Sequence, residues 1–391
     1  MKKLLFLIFA SFSIITYLIF FNQNSLKVEY ISIGNQKTKN IPIASFDADT
    51  KPKNIILIIG DGTGFNQITL SRIAAGGADY RLAIDQIPFL GNSLTHSYDN
   101  IYTDSAASAT AMATGIKTKN KFLAVTPEKE AVPTIPEMIS NKGYISGLVA
   151  TSSITHATPA AFYAHIDSRY KEKEIASQLL ESPIQLSLGG GLEFFDIVKA
   201  QESNLLITDM DNLDDDEFLK ANKVLGLFDE DGINRSSSKP TQLQMTKAAL
   251  NWLSLKANLN SCNGFFLMSE GSQIDWASHD NDAATMVVEF KDFDQTIAMA
   301  MDFVTVNKET LLIVTADHET GGLQILSQED DMVKVQWGTG SHTSIPVGVY
   351  AYGPGAHVFT GLMDNTDIHY MILDAIDSSG LKPLVCSNKI S

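Results

Sequence analysis

The chain has 391 residues, with 45 acidic against 29 basic side chains and a formal charge of -16. That length holds one elaborated α/β domain or two smaller ones, and the acidity opposes a nucleic-acid surface or binding to anionic lipid. Two cysteines, Cys262 and Cys386, exclude a disulfide framework and a thiolate metal centre, so any metal must rest on histidine and carboxylate. Whether the two pair is left open.

Lys2 and Lys3 precede an apolar run from Leu4 to Phe21, which reads as an export signal or a spanning helix. Asn22, Gln23, Asn24 and Ser25 follow at once, without a small-x-small cleavage site. Two outcomes stay open: a cleaved signal within residues 1–24 and a periplasmic or secreted protein, or a membrane tether through residues 4–21. Membrane contact is expected only in the second case. Residues 25–52 are polar with little periodicity and are predicted to be a tether outside the catalytic fold. The catalytic domain is then 53–391, with small surface insertions near 205–240 and 323–337.

From Asn54 onward, short apolar runs end in polar clusters and lead into helical stretches. This alternation predicts an α/β fold, a three-layer α/β/α sandwich around a mainly parallel central sheet. The runs are Ile55 to Ile59, Tyr144 to Ala150, Phe265 to Met268 and Leu311 to Val314, with Val347 to Tyr352 a fifth. Each of the first four stops within a few residues of a carboxylate or histidine. Open α/β sheets bind ligands at the carboxyl ends of their strands, so these tips are where chemistry is expected.

After the first run, Gly60-Asp61-Gly62-Thr63-Gly64 lacks the last glycine of a dinucleotide loop, since Phe65 stands there. It presents Asp61 at a strand tip, as a metal ligand or a turn cap. The Ala-rich stretch 105–114 predicts a short helix starting at Ser105, behind Asp104. A serine there lies beside backbone N–H groups that stabilise a phosphate or an oxyanion, although helix-start serines are commonly just caps. After Phe265 to Met268 come Glu270, Asp275 and His279; a helix beginning near Gln273 puts Asp275 and His279 on one face, four residues apart. Asp317 and His318 follow Leu311 to Val314, and His342 sits in a Gly, Thr and Ser-rich loop. Each cluster alone has an ordinary reading as a solvated pair or a cap. Together, several carboxylates and imidazoles at strand ends describe a charge-neutralising metal site. His96, His165, His357 and His369 lack that setting and receive no role.

In this order the motifs resemble the alkaline phosphatase family, from about Asn54 to Gly355. TDSAASATAMATG is similar to the family's nucleophile segment, DGTG to its first metal loop, and THATPAAFYAHIDSR to its phosphate-binding segment. SEGSQIDWASH, TADHETGG and GSHT are similar to its remaining ligand segments. The resemblance implies hydrolysis of small phosphate monoesters through a phosphoserine, with broad substrate acceptance, in a homodimer holding two Zn²⁺ and one Mg²⁺ per subunit. By the same resemblance Ser105 is the nucleophile and, with Arg169, contacts the substrate phosphate. The first zinc is assigned Asp275, His279 and His342; the second Asp61, Asp317 and His318; the magnesium Asp61, Thr158 and Glu270. Oxygen-only ligands suit Mg²⁺ and mixed imidazole and carboxylate ligands suit Zn²⁺.

Asp104, His156 and Trp276 are expected to modulate the site. His156 and Trp276 stand where the best-known bacterial pattern has Asp and Lys, and Thr320 replaces a histidine of some relatives. A phosphodiesterase or phosphonate hydrolase of the same superfamily is the nearest rival, against which the full SAASAT segment and Arg169 argue. A non-catalytic zinc protein could dispense with Ser105 and Arg169, yet both are present. No Gly-x-Ser-x-Gly elbow or Walker loop supports a metal-free serine hydrolase or an NTPase.

Overall fold

The structure, a computed structural model, describes residues 26–47, 50–236, 238–377, 380–384 and 386. The apolar run 4–21 lies outside the described residues. The predicted runs all become strands of one ten-stranded sheet: β2 (Asn54–Gly60), β4 (Tyr144–Ser153), β8 (Gly264–Gly271), β9 (Thr310–Thr315) and β14 (Val347–Tyr352). They are joined by β3 (Phe89–Leu94), β5 (Leu186–Gly190), β6 (Leu205–Ile207), β7 (Val224–Leu227) and β15 (Gly361–Asp364). The order is β15-β3-β14-β9-β2-β8-β4-β5-β7-β6. Only β14 runs antiparallel, against both β3 and β9.

Every residue of β2 is buried. Successive side chains of a strand point to opposite faces, so Ile56 and Ile58 enter one core while Ile55, Leu57 and Ile59 enter another. A strand covered on both sides must therefore be apolar throughout, which is why these runs show no alternation. Each fully buried isoleucine stabilises by roughly 1.5–3 kcal/mol. Helices Phe65–Gly76, Gln242–Leu259 and Ala283–Val306 cover the first face. Helices Ser105–Thr114, Ile135–Ser140, Glu172–Glu181 and Asn365–Ala375 cover the second, completing the three layers.

Two stretches differ from expectation. Residues 205–240 are not merely a surface insertion, because β6 and β7 extend the central sheet and β7 is buried throughout. The intended tether also packs on the domain: β1 (Val28–Ser32) pairs antiparallel with β12 (Met332–Gln336), which pairs with β11 (Gln324–Glu329). Beyond β1, the Gly34 and Gln36 amides donate to Ile73 and Ala75, and the Ala44 amide donates to the Tyr352 hydroxyl. The 323–337 stretch forms the β11–β12 hairpin, completed by the arm. Cys262 and Cys386 form a disulfide that ties the C-terminal segment to the end of helix Gln242–Leu259. Among the described residues no helix is long and apolar enough to cross a membrane.

Candidate active site

All the predicted site residues converge at the carboxyl ends of the parallel strands. Asp61 follows β2 directly, in a turn where Gly62 has φ 71°. A Cβ on Gly62 would lie 2.8 Å from Asp275 Cα, so glycine serves both the left-handed turn and the close approach of Asp275. Glu270 lies near the end of β8, and helix Gln273–His279 begins where predicted, carrying Asp275 and His279 one turn apart. Asp317 and His318 follow β9; His156 and Thr158 follow β4. Ser105 is the first residue of helix Ser105–Thr114, capped by Asp104, whose carboxylate accepts from the Ala107 amide at 3.0 Å.

His318 Nε2 is the focus. Ser105 Oγ lies 3.2 Å from it, Asp317 Oδ2 3.1 Å and Asp61 Oδ1 3.5 Å. Beside it, Asp275 Oδ2 is 3.4 Å from His279 Nε2, and Asp275 Oδ1 is 3.6 Å from His342 Nε2. The His318 and His342 rings stack with centroids 3.5 Å apart. Backbone carbonyls only accept, so the Nδ1–H of His279 donates to Gly340 and that of His342 to Thr103, each at 2.8 Å. Both Nε2 atoms are thereby turned toward each other, 3.0 Å apart. Thr320 donates to Asp275 at 2.5 Å and stands 3.2 Å from His318 Nδ1.

Three groups bring their ligand atoms within 4.8 Å of one another: Asp275 with His318 and His342, Asp61 with Asp317 and His318, and Asp61 with His156 and Glu270. The second group matches the assignment for the second zinc. In the first, His318 takes the place given to His279, which flanks the group. In the third, His156 joins Asp61 and Glu270, and Thr158 is buried nearby.

These donors fit divalent cations. Asp61, Glu270, Asp275 and Asp317 are all buried. Among the described residues, both Asp61 oxygens, Glu270 Oε1, Asp317 Oδ2, Thr158 Oγ1 and His156 Nδ1 are buried without a hydrogen-bond partner. Leaving carboxylate oxygens so is costly unless positive charge faces them. Burial, then the charges of Asp317, Asp275 and Glu270, push Asp61 far above the usual carboxylate range, and burial pushes Glu270 up to about 7. The hydrogen bond to Asp275 raises His279 to about 9, whereas burial and His318 hold His342 down at about 4.

Arg169 donates to Asp104 Oδ2 at 3.2 Å and to His156 Nε2 at 2.9 Å. Burial and the guanidinium hold His156 down at about 3, so it is neutral and accepts. The His156 and Trp276 rings meet edge to face with centroids 5.9 Å apart, and Gly232 lies so close to the indole that a Cβ there would collide.

Sequence reasoning missed several supports. His165, given no role, bridges the Ala124 carbonyl and Glu137 Oε1, each at 2.9 Å, anchoring the segment that leads to Arg169. Buried Glu319 accepts from Gln67 and Thr343, and Ser272 donates to Glu270 at 2.7 Å. Their partners are mostly distant in sequence, and no local spacing marks them.

The alkaline phosphatase family model matches residues 52–213 and 187–334. Alkaline phosphatase 3 of Bacillus subtilis is 32% identical, over 88% of this chain and 95% of its own length. The Escherichia coli alkaline phosphatase is 32% identical over 86% of this chain and 88% of its own. The alkaline phosphatase of the Antarctic bacterium TAB5 superposes with a TM-score of 0.76 at 34% identity, covering 84% of this chain and 98% of that one. A histidine-to-glutamate variant of the TAB5 enzyme, at 34% identity and TM-score 0.75 over 84% of this chain and 99% of its own, carries Mg in its M3 site. The chain therefore belongs to the alkaline phosphatase family, and it is a metal-dependent hydrolase of phosphate monoesters.

Proposed function

We propose that Ser105 is the nucleophile of a double-displacement phosphomonoesterase with two zinc ions and one magnesium ion in each subunit. The observation that carries this reading is the convergence on His318 Nε2 of Ser105 Oγ at 3.2 Å and Asp317 Oδ2 at 3.1 Å. Asp275, His279 and His342 would hold the first zinc, and Asp61, Asp317 and His318 the second. Asp61, Thr158 and Glu270 would hold the magnesium; the Mg site of the TAB5 variant supports a magnesium-type third position.

Phosphate monoester hydrolysis requires acceleration on the order of 10²¹ in extreme cases, whereas acid–base help supplies about 10² to 10⁴. Bound cations supply the Lewis-acid part, favouring the ionised forms of hydroxyl and water and offsetting phosphoryl charge. Ser105 Oγ attacks phosphorus, the bond to the alcohol oxygen breaks, and phosphoserine forms. Water then displaces the serine oxygen and releases phosphate, so the configuration at phosphorus is retained after two inversions. Helix N–H groups beside Ser105 and the planar fork of Arg169 receive the phosphoryl oxygens. Little in the site reads the alcohol, consistent with broad substrate acceptance.

The test is release of p-nitrophenol from p-nitrophenyl phosphate at alkaline pH, before and after chelation, with Zn²⁺ and Mg²⁺ added back and a p-nitrophenyl diester alongside. Monoesterase activity that follows the metals supports the reading; clear preference for the diester favours the superfamily rival.

Arg169→Ala is expected to lower kcat/KM and weaken phosphate inhibition, each by about 10- to 100-fold, as loss of a charge-assisted bidentate contact implies. Arg169→Lys should recover little, because an ammonium cannot reproduce the fork. Inhibition constants for phosphate in both variants check this. Trp276 places an apolar ring where a cation would retain product. Trp276→Lys is therefore expected to tighten phosphate inhibition, by up to about tenfold; unchanged inhibition would remove this role for the tryptophan.

Export to an oxidising compartment is supported by the Cys262–Cys386 disulfide. A homodimer is supported by exposed Leu90 and Leu94 on β3 and Leu362 on β15, together with Tyr98 and Ile101.

A further inference from the structure

The N-terminal arm is tied to the metal centre through one carboxylate. Glu29, on β1, accepts at Oε2 from the Trp337 indole N–H at 2.6 Å and from the Ala283 amide at 3.1 Å. Ala283 opens helix Ala283–Val306, so Glu29 satisfies an amide that the helix itself leaves unpaired and places negative charge at its positive end. Neighbouring Lys27 adds two ties. Its carbonyl accepts from the Trp337 amide at 3.0 Å, and its ammonium donates to the Asp280 carbonyl at 3.4 Å.

Both ends of this brace lead to imidazoles. Asp280 follows His279 directly, and the short link to Ala283 fixes the end of helix Gln273–His279. On the other side, Trp337 is 1% exposed, and its ring fills the space that a Cβ on Gly321 would need. Past Trp337, the Gly338 and Thr339 amides donate to the Gly321 carbonyl, and the Gly321 amide donates to Ser341. The loop then delivers the Gly340 carbonyl to His279 Nδ1, and the pairing of β10 (Glu319–Thr320) with β13 (His342–Thr343) fixes the backbone that carries the second ring. Groups behind a ligand that fix its ring orientation are worth about 10- to 100-fold in metal affinity.

We propose that Glu29, acting through Trp337 and the Ala283 amide, is a positioning residue for the His279–His342 pair, so that the arm sets how tightly this chain retains the cation there. The inference rests on the assignment of a zinc ion to those histidines. Both donors meet Oε2, while Oε1 stands 3.6 Å from the Lys27 ammonium; a glutamine carbonyl therefore keeps the two hydrogen bonds and gives up only the charge, whereas alanine loses both.

The experiment measures zinc release from the loaded enzyme into a chelating dye, with metal content by mass spectrometry and kcat at saturating Zn²⁺. Glu29→Ala should release a single zinc about tenfold faster, with the other metals retained and kcat within about twofold of the parent. Glu29→Gln, which keeps the hydrogen bonds and loses only the charge, should speed release by no more than about threefold. Trp337→Phe, which keeps ring packing and removes only the N–H, should also speed release and decides the matter if Glu29→Ala does not fold. Parental release rates in Glu29→Ala or Trp337→Phe, equal loss of all metals, or a glutamine variant as leaky as alanine would overturn the proposal. A His279→Ala control separates the two levels: if it keeps the full zinc complement, the zinc assignment itself is wrong.

Discussion

Ser105→Ala is expected to lower kcat toward p-nitrophenyl phosphate by ~10³-fold or more while leaving fold and metal content unchanged. The serine is 2% exposed and opens a fully buried helix, so alanine introduces no clash and has the higher helix propensity. Only Oγ is lost, and with it the acceptor of the phosphoryl group. Arg169, the helix amides and the cation ligands remain, so slow direct hydrolysis should persist, as it does when a nucleophile is removed from an otherwise intact site. Stopping the reaction in acid with labelled substrate should trap a phosphoryl-enzyme in the parent and none in the variant. A variant keeping most of its activity would reject Ser105 as nucleophile.

Asp317→Asn should have the second largest effect, and it should act through metal retention. Asp317 Oδ1 accepts from the Gly62 and His318 amides, at 3.2 and 2.9 Å, bonds that an asparagine carbonyl keeps. Oδ2 has no hydrogen-bond partner and lies with Asp61 and His318 around one candidate cation position. An amide there offers a neutral, weaker ligand, so zinc retention and kcat should fall by more than the roughly 10- to 100-fold of an outer-shell loss. Metal binding to the native state raises stability by mass action, so chelation should lower the melting temperature of the parent far more than that of the variant. Calorimetry with and without chelator, paired with metal analysis, checks this. Equal metal content and an equal response to chelation in parent and variant would show that Asp317 is not a ligand.

The legible parts of this molecule share one property: they are local. Ile55 to Ile59 and Leu311 to Val314 are apolar throughout because both faces of the sheet are covered, and a carboxylate or histidine directly after such a run has little room to be anywhere but the strand tip. Asp275 and His279 share a helix face because four residues make about one turn. Leu205–Ile207 and Val224–Leu227 were hidden because each is too short to display a period amid acidic and polar neighbours. The arm was misjudged for a related reason: β1 alternates exposed and partly buried residues in a small sheet, which on paper resembles a polar linker.

Amino-acid order by itself determined the α/β alternation, the helix starting at Ser105 and the strand tips that carry Asp61, Glu270, Asp317 and His318. The tertiary structure alone decided which imidazole faces which carboxylate: that His318 lies within reach of two groups at once, that Asp104 and His156 aim Arg169, and that Glu29 braces Trp337. The reason is physical. Periodicity and caps arise from interactions a few residues long, whereas Ser105 and His318, or Glu29 and Trp337, meet only when sheet order and crossover helices have brought distant segments together.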